Sequence, residues 1–167
     1  MNVEFTPALD QKPGTVARLL KECYAEVVKS DPSLWEREEK SWEEYDRDVF
    51  AQPQTVGASI FLTRLDGEIA GFGSWDPRQR PRFGVIGHNC VLLQFRGRGL
   101  GALQIEEILR RFREMAILTA KVSTLDSPFF APAQRMYQAC GFHEVRRFSW
   151  QHDPKQKIIE YEKKLGE

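Results

Sequence analysis

Between Thr15 and Lys29 apolar residues recur at three- and four-residue steps, so that Val16, Leu19, Leu20, Cys23, Tyr24, Val27 and Val28 would share one side of a helix. The stretch "SDP" punctuates that helix, and Trp35, Trp42, Tyr45 and Val49, set among many charges, predict a second, net acidic helix from Leu34 to about Phe50. Upstream, "NVEF" reads as a short first strand. Downstream, "ASIFLTRL" and "EIAGFGSW" flank Asp66-Gly67, a pair suited to the positive φ values of a two-residue hairpin turn. The stretch "PRQRPRFG" forms a longer connection to a strand at residues 85–93, whose Gly87 predicts a bulge or a close backbone approach. Ile105, Ile108, Leu109 and Phe112 then make one face of a helix, opposite Glu106, Glu107, Arg110 and Arg111. A strand at 118–125, a helix from about Pro132 to Ala139 stopped by Gly141, and two closing strands at 142–150 and 157–165 complete the series. The order β, α, α, β, β, β, α, β, α, β, β predicts a mixed α/β domain.

Length and charge narrow what such a domain does. A chain of 167 residues suits one domain, 1–167, with one sizeable core. Lys and Arg together number 24, as do Asp and Glu, so no global field draws the chain to nucleic acid or an anionic membrane, and charge acts only locally. The acidic helix and the basic "RQRPR" are read as solvated surfaces. The start lacks a basic stretch followed by an apolar one, and no apolar run is long enough to span a bilayer, which predicts a cytoplasmic protein. Cys23, Cys90 and Cys140 are odd in number and lack metal-ligand spacing, so reduced thiols and no metal are expected.

The candidate chemistry gathers in "LLQFRGRGLGALQIEEILRRF", residues 92–112. A helix start offers unsatisfied N–H groups and the positive end of the macrodipole, and Gly97, Gly99 and Gly101 would let a diphosphate reach the backbone there. Arg96 and Arg98 can add charge-assisted hydrogen bonds. The Gly-Lys-Ser/Thr end of a Walker loop is missing. Gly97, Gly99 and Ala102 do satisfy a dinucleotide fingerprint, with Asp126 after the next strand, but the unit follows an antiparallel hairpin and offers a single strand-helix-strand crossover.

Gln94-Phe95-Arg96-Gly97-Arg98-Gly99 resembles the Q/R-x-x-G-x-G/A signature of the GNAT superfamily of acyl-CoA-dependent N-acyltransferases, and "AQRMYQACGF", residues 133–142, resembles that family's A-x-x-x-Y-x-x-x-GF segment. The resemblance extends to element order over nearly the whole chain. It implies a single mixed, mostly antiparallel sheet flanked by helices, with splayed central strands. It also implies acetyl-CoA as co-substrate, with Val91 and Leu93 offering backbone hydrogen bonds to the pantetheine arm. Gln94 and the amides from Arg96 through Leu100 to Gly101 would cradle the pyrophosphate, with Ala133 a further cofactor contact. Tyr137 would be the general acid that protonates the departing thiolate, and the amide near Val91 would help the oxyanion. Where many members carry Asn seven residues before the tyrosine, this chain has Phe130.

Direct attack by an amine in a ternary complex needs a proton acceptor, and His88, on the strand leading into the signature, is the candidate base. The expected partner is a small-molecule or peptide amine, with a homodimer left open and neither nucleic acid nor membrane as partner. Two other functions use part of the pattern. A non-catalytic acyl-CoA sensor would keep the loop without Tyr137 or a base, and a nicotinamide oxidoreductase would place Asp126 on a ribose.

Overall fold

The computed structural model describes residues 1–166; Glu167, the last residue of the expected domain, lies outside the described residues. Seven strands form one mixed sheet in the order β1-β2-β3-β4-β5-β7-β6. By contact the residues fall into two compact units, Met1–Ser74 with His88–Gly101, and Trp75–Gly87 with the chain from Ala102 onward.

The first unit holds β1 (Val3–Pro7), three helices, β2 (Ile60–Leu65), most of β3 (Glu68–Asp76) and the end of β4 (Gly84–Val91). β1 pairs antiparallel with β2 and β2 with β3, through a hairpin in which Asp66 and Gly67 take φ of 50° and 88°, as the Asp-Gly pair predicts. The expected helix at 15–29 is two helices, α1 (Thr15–Cys23) and α2 (Ala25–Ser30), broken at Tyr24, whose ring stacks on Trp42. α3 runs Pro32–Ala51, starting two residues ahead of the expected Leu34 because Asp31 caps it by accepting the Leu34 amide and Pro32 suits its first turn. α3 in turn caps α1. The buried Asp46 carboxylate accepts the amides of Gly14 at 2.8 Å and Ala17 at 3.0 Å, supplying the cap that Gly14 has no side chain to make.

The second unit holds the body of α4 (Leu100–Glu114), β5 (Thr119–Leu125), α5 (Ala131–Ala139), β6 (His143–Trp150) and β7 (Asp153–Lys164). Ile105, Ile108, Leu109 and Phe112 of α4 are fully buried, each contributing about 1.5–3 kcal/mol of apolar transfer. Phe112 lies where a Cβ on Gly84 would come within 2.7 Å of its ring, so β4 begins on a glycine. β4 pairs parallel with β5 through Gly84↔Ala120 and Val85↔Lys121. β5 and β6 flank β7 in antiparallel register. α5 ends on Gly141 at φ 90°, with the Gly141 and Phe142 amides donating to the carbonyls of Gln138 and Tyr137 and Lys163 donating to the Cys140 carbonyl.

Candidate functional site

In the first unit β4 ends at Val91, two residues before the expected end of the strand. The Leu92 amide donates to the Ala70 carbonyl of β3 at 2.8 Å, and Leu93–Phe95 coil into a 3₁₀ turn in which the Phe95 and Arg96 amides donate to the Leu92 and Leu93 carbonyls. Leu93, expected as a strand residue, therefore lies in this turn, where it and Gln94 are exposed. A close backbone approach occurs on β3, where a Cβ at Gly71 would lie 2.0 Å from the Cys90 carbonyl oxygen.

Two apolar anchors hold the loop that follows. Leu100, 1% exposed, is buried with Leu65 and Ala70, and Val91 and Phe95 pack against the same cluster. Between them Gly97 and Gly99 take φ of 76° and 79°, a region costing an L-residue roughly 1–2 kcal/mol. Nothing lies within 4 Å of where a Cβ on either would stand. These glycines therefore answer to backbone conformation and leave open space over the loop, at the amino end of α4. Successive amides in such a conformation make the kind of backbone concavity that can hold an anion. Arg98 is exposed, with its guanidinium 5.9 Å from the Phe95 ring. Arg96 is exposed as well, but its guanidinium is committed to backbone, donating through Nε to the Val91 carbonyl at 2.9 Å and through Nη2 to the Cys23 carbonyl at 2.7 Å.

His88 stands on β4 in the same unit. Burial pushes its imidazole below the usual value of 6.5, so the ring is neutral at pH 7. The Tyr45 ring of α3 tilts against it at 5.1 Å. Tyr45 is hydrogen-bonded to Ser74, whose hydroxyl donates to the His88 carbonyl at 2.8 Å, and burial pushes the phenol up to about 12. Tyr45 and Ser74 therefore engage His88 at its ring and at its carbonyl. The sequence places both on a helix and a strand by periodicity but carries no sign that the two meet. Beside them the Cys23 and Cys90 thiols are hydrogen-bonded to each other, both reduced and buried.

In the second unit α5 carries Ala133 and Tyr137. Tyr137 is 4% exposed, with its ring 6.0 Å from Phe142 and 5.8 Å from Tyr161. Phe130 ends the short turn before α5, its ring edge-on to Phe129. Asp126 exchanges hydrogen bonds with the backbone of Lys157, accepting its amide at 2.8 Å and donating its own to the Lys157 carbonyl at 2.9 Å, which commits the residue to the strand pairing of β5 and β7. Among the described residues no group of three or more His, Cys, Asp or Glu is placed to hold a metal, and no helix is long and apolar enough to cross a membrane.

An open mixed sheet, with a glycine loop between its fourth strand and the following helix, defines the structural class. The sequence profile of the Acetyltransferase (GNAT) family matches residues 19–142, and the chain belongs to that family. A protein from Desulfovibrio desulfuricans described as a GNAT-family acetyltransferase shares the fold, with a TM-score of 0.75 at 17% identity over 99% of this chain and 100% of its own. An aminoglycoside 6′-N-acetyltransferase in complex with coenzyme A superposes with a TM-score of 0.70 at 11% identity, covering 99% and 97% of the two chains. A GNAT-family acetyltransferase from Elizabethkingia anophelis, with acetyl-CoA bound, gives 0.65 at 15% identity over 98% and 97%. No match was found among curated protein sequences.

Proposed function

We propose that this protein is a single-domain N-acetyltransferase that moves an acetyl group from acetyl-CoA to the primary amine of a small molecule or peptide, acting in the cytoplasm. The observation that carries the reading is the loop at Gly97–Gly101, with left-handed glycines and open space over its backbone, in a chain that belongs to an acetyltransferase family. Related folds that hold coenzyme A or acetyl-CoA support it. In this reading Gln94, the amides of residues 97–101 and the Arg98 side chain bind the diphosphate, Val91 and Leu93 meet the pantetheine arm, and Ala133 is a further contact.

Acetyl-CoA supplies a thioester carbonyl open to attack by an amine. The acceptor nitrogen forms the new C–N bond as the C–S bond breaks with its electron pair on sulfur. The proton lost by nitrogen passes to the neutral His88 imidazole. The proton gained by sulfur comes from the Tyr137 phenol, since a phenol can protonate a thiolate leaving group. Solvent then restores both groups. No covalent bond to the enzyme is required.

The test is thermal stability of the purified protein with acetyl-CoA, CoA, NADH and ATP in parallel. A ligand at a hundred times its Kd stabilises by about 2.7 kcal/mol, a rise in Tm of about 5–11 °C at this size. Selective stabilisation by the two CoA species is expected, and no shift with either removes the reading. An amine-acceptor screen follows, in which Tyr137→Phe should keep the CoA-induced shift while transfer drops by about 10²–10⁴.

A further inference from the structure

Two arginines flank Gly97, and they use their charge differently. Both are exposed, and Arg98 lies with its guanidinium over the Phe95 ring at 5.9 Å. Arg96 has its amide on the Leu93 carbonyl at 3.2 Å and its guanidinium on the Val91 and Cys23 carbonyls. The Val91–Leu92 peptide is thereby gripped on both sides, its oxygen by Arg96 and its N–H by the Ala70 carbonyl. One residue earlier the Cys90 carbonyl lies against Gly71 with no room for a side chain between them. The other contact closes a sequence separation of 73 residues: Cys23 is the last residue of α1, where the carbonyls carry the negative end of the helix dipole and a guanidinium is a favourable partner. In a helix that ran on through Tyr24, the Cys23 carbonyl would accept from the amide four residues later.

We infer that Arg96 is a positioning residue and not a phosphate ligand. It fixes the peptide at the exit of β4 and ties that exit to the end of α1, so the segment meeting the thioester end of the co-substrate is held in one orientation whether or not a diphosphate is bound. The planar fork of a guanidinium suits two carbonyls at once, which the single ammonium of lysine does not reproduce. The kinetic half of this inference rests on the acetyltransferase reading; the structural half does not.

Two measurements decide it. The first compares acetyl-CoA with S-acetylpantetheine, which has the same thioester and arm but no nucleotide diphosphate. Arg96→Gln should lower kcat/KM for both donors by the same factor, on the order of tenfold. A loss confined to acetyl-CoA would mark Arg96 as a phosphate ligand and overturn the inference. Arg98→Gln serves as the phosphate-side control, its loss concentrated on acetyl-CoA.

The second measurement is Tm without any ligand. Arg96→Gln should lower it by about 3–8 °C, and Arg96→Lys, which keeps the charge and reaches one carbonyl, should recover part of the loss. An unchanged Tm in Arg96→Gln overturns the inference. If Arg96→Gln does not fold, Arg96→Lys alone must show a lowered Tm with matched losses for the two donors. Should the wild-type protein transfer acetyl from neither donor, the transferase reading falls and the ligand-free Tm still decides the role of Arg96.

Discussion

The state of His88 ties the stability of the fold to pH. Its folded pKa lies below the usual 6.5 because burial disfavours the imidazolium. As pH falls, the unfolded chain takes up this proton first, so in the window just below that value the unfolded state binds more protons and stability drops with pH. Stability from this group is full above the unfolded value and declines as pH falls toward the folded one. His88→Gln should therefore flatten the fall in Tm between about pH 7 and pH 5, read by thermal melts across that range. If His88 is the base, the same variant loses about 10²–10⁴ in kcat, and full kcat in His88→Gln excludes the imidazole from proton transfer. Tyr45→Phe separates support from chemistry. It removes the phenol that bonds Ser74 while keeping the ring beside the imidazole, so it should disturb the order around His88 without touching the titrating group.

At the scale of elements, two short-range devices carry effects far larger than their size. Asp46 satisfies two amides at the start of α1 from a helix some thirty residues away. Asp46→Ala leaves both unpaired in a buried place and should cost about 2–4 kcal/mol, measured by denaturant unfolding, against about 0.5 kcal/mol for an exposed neighbour such as Glu44→Ala. Gly99→Ala strains a left-handed residue and fills the open space over the loop. Its stability loss should stay near 1–2 kcal/mol, while acetyl-CoA affinity, read by titration calorimetry, should fall much further. Equal losses in the two measurements would mean the glycine serves conformation alone.

The Asp46 cap, unlike Gly99, marks a limit of what the sequence discloses. The hairpin at Asp66-Gly67, the apolar face of α4 and the Gly141 stop of α5 are local patterns, written into neighbouring residues, and each is found where it was expected. The family and the sheet architecture follow from two motifs at the right distance apart. What escapes sequence reading is long-range. Nothing adjacent to Tyr24 announces that α1 ends there, because Arg96 comes from another element to take the Cys23 carbonyl. Nothing around Tyr45 or Ser74 shows that they meet beside His88. The shortened β4 has the same cause, since Ala70 takes the Leu92 amide and turns the chain into the loop. An arginine next to a glycine loop suggests phosphate by composition, and the hydrogen bonds to the nearby Val91 and distant Cys23 carbonyls are what set Arg96 apart from Arg98.

For the whole molecule the question is whether the two compact units open together. β3 passes from one unit to the other between Ser74 and Trp75, β4 between Gly87 and His88, and α4 between Gly101 and Ala102. Three elements continue from one unit into the other, and the expectation to be tested is one cooperative transition. The cysteines provide the probe. Cys23 and Cys90 are 3% and 7% exposed in the first unit, and Cys140 is 7% exposed in the second. Burial raises the pKa of Cys90 and Cys140, so neither is an ionised nucleophile in the folded state at neutral pH. Labelling by a thiol reagent must then wait for opening. With cooperative opening, all three residues should gain label at one rate in low denaturant, resolved by peptide mass analysis, and saturating acetyl-CoA at a hundred times its Kd should slow all three by about a hundredfold. Faster labelling of Cys140 alone, with Cys23 and Cys90 protected by ligand, would show two separately stable units and would overturn the single-domain reading.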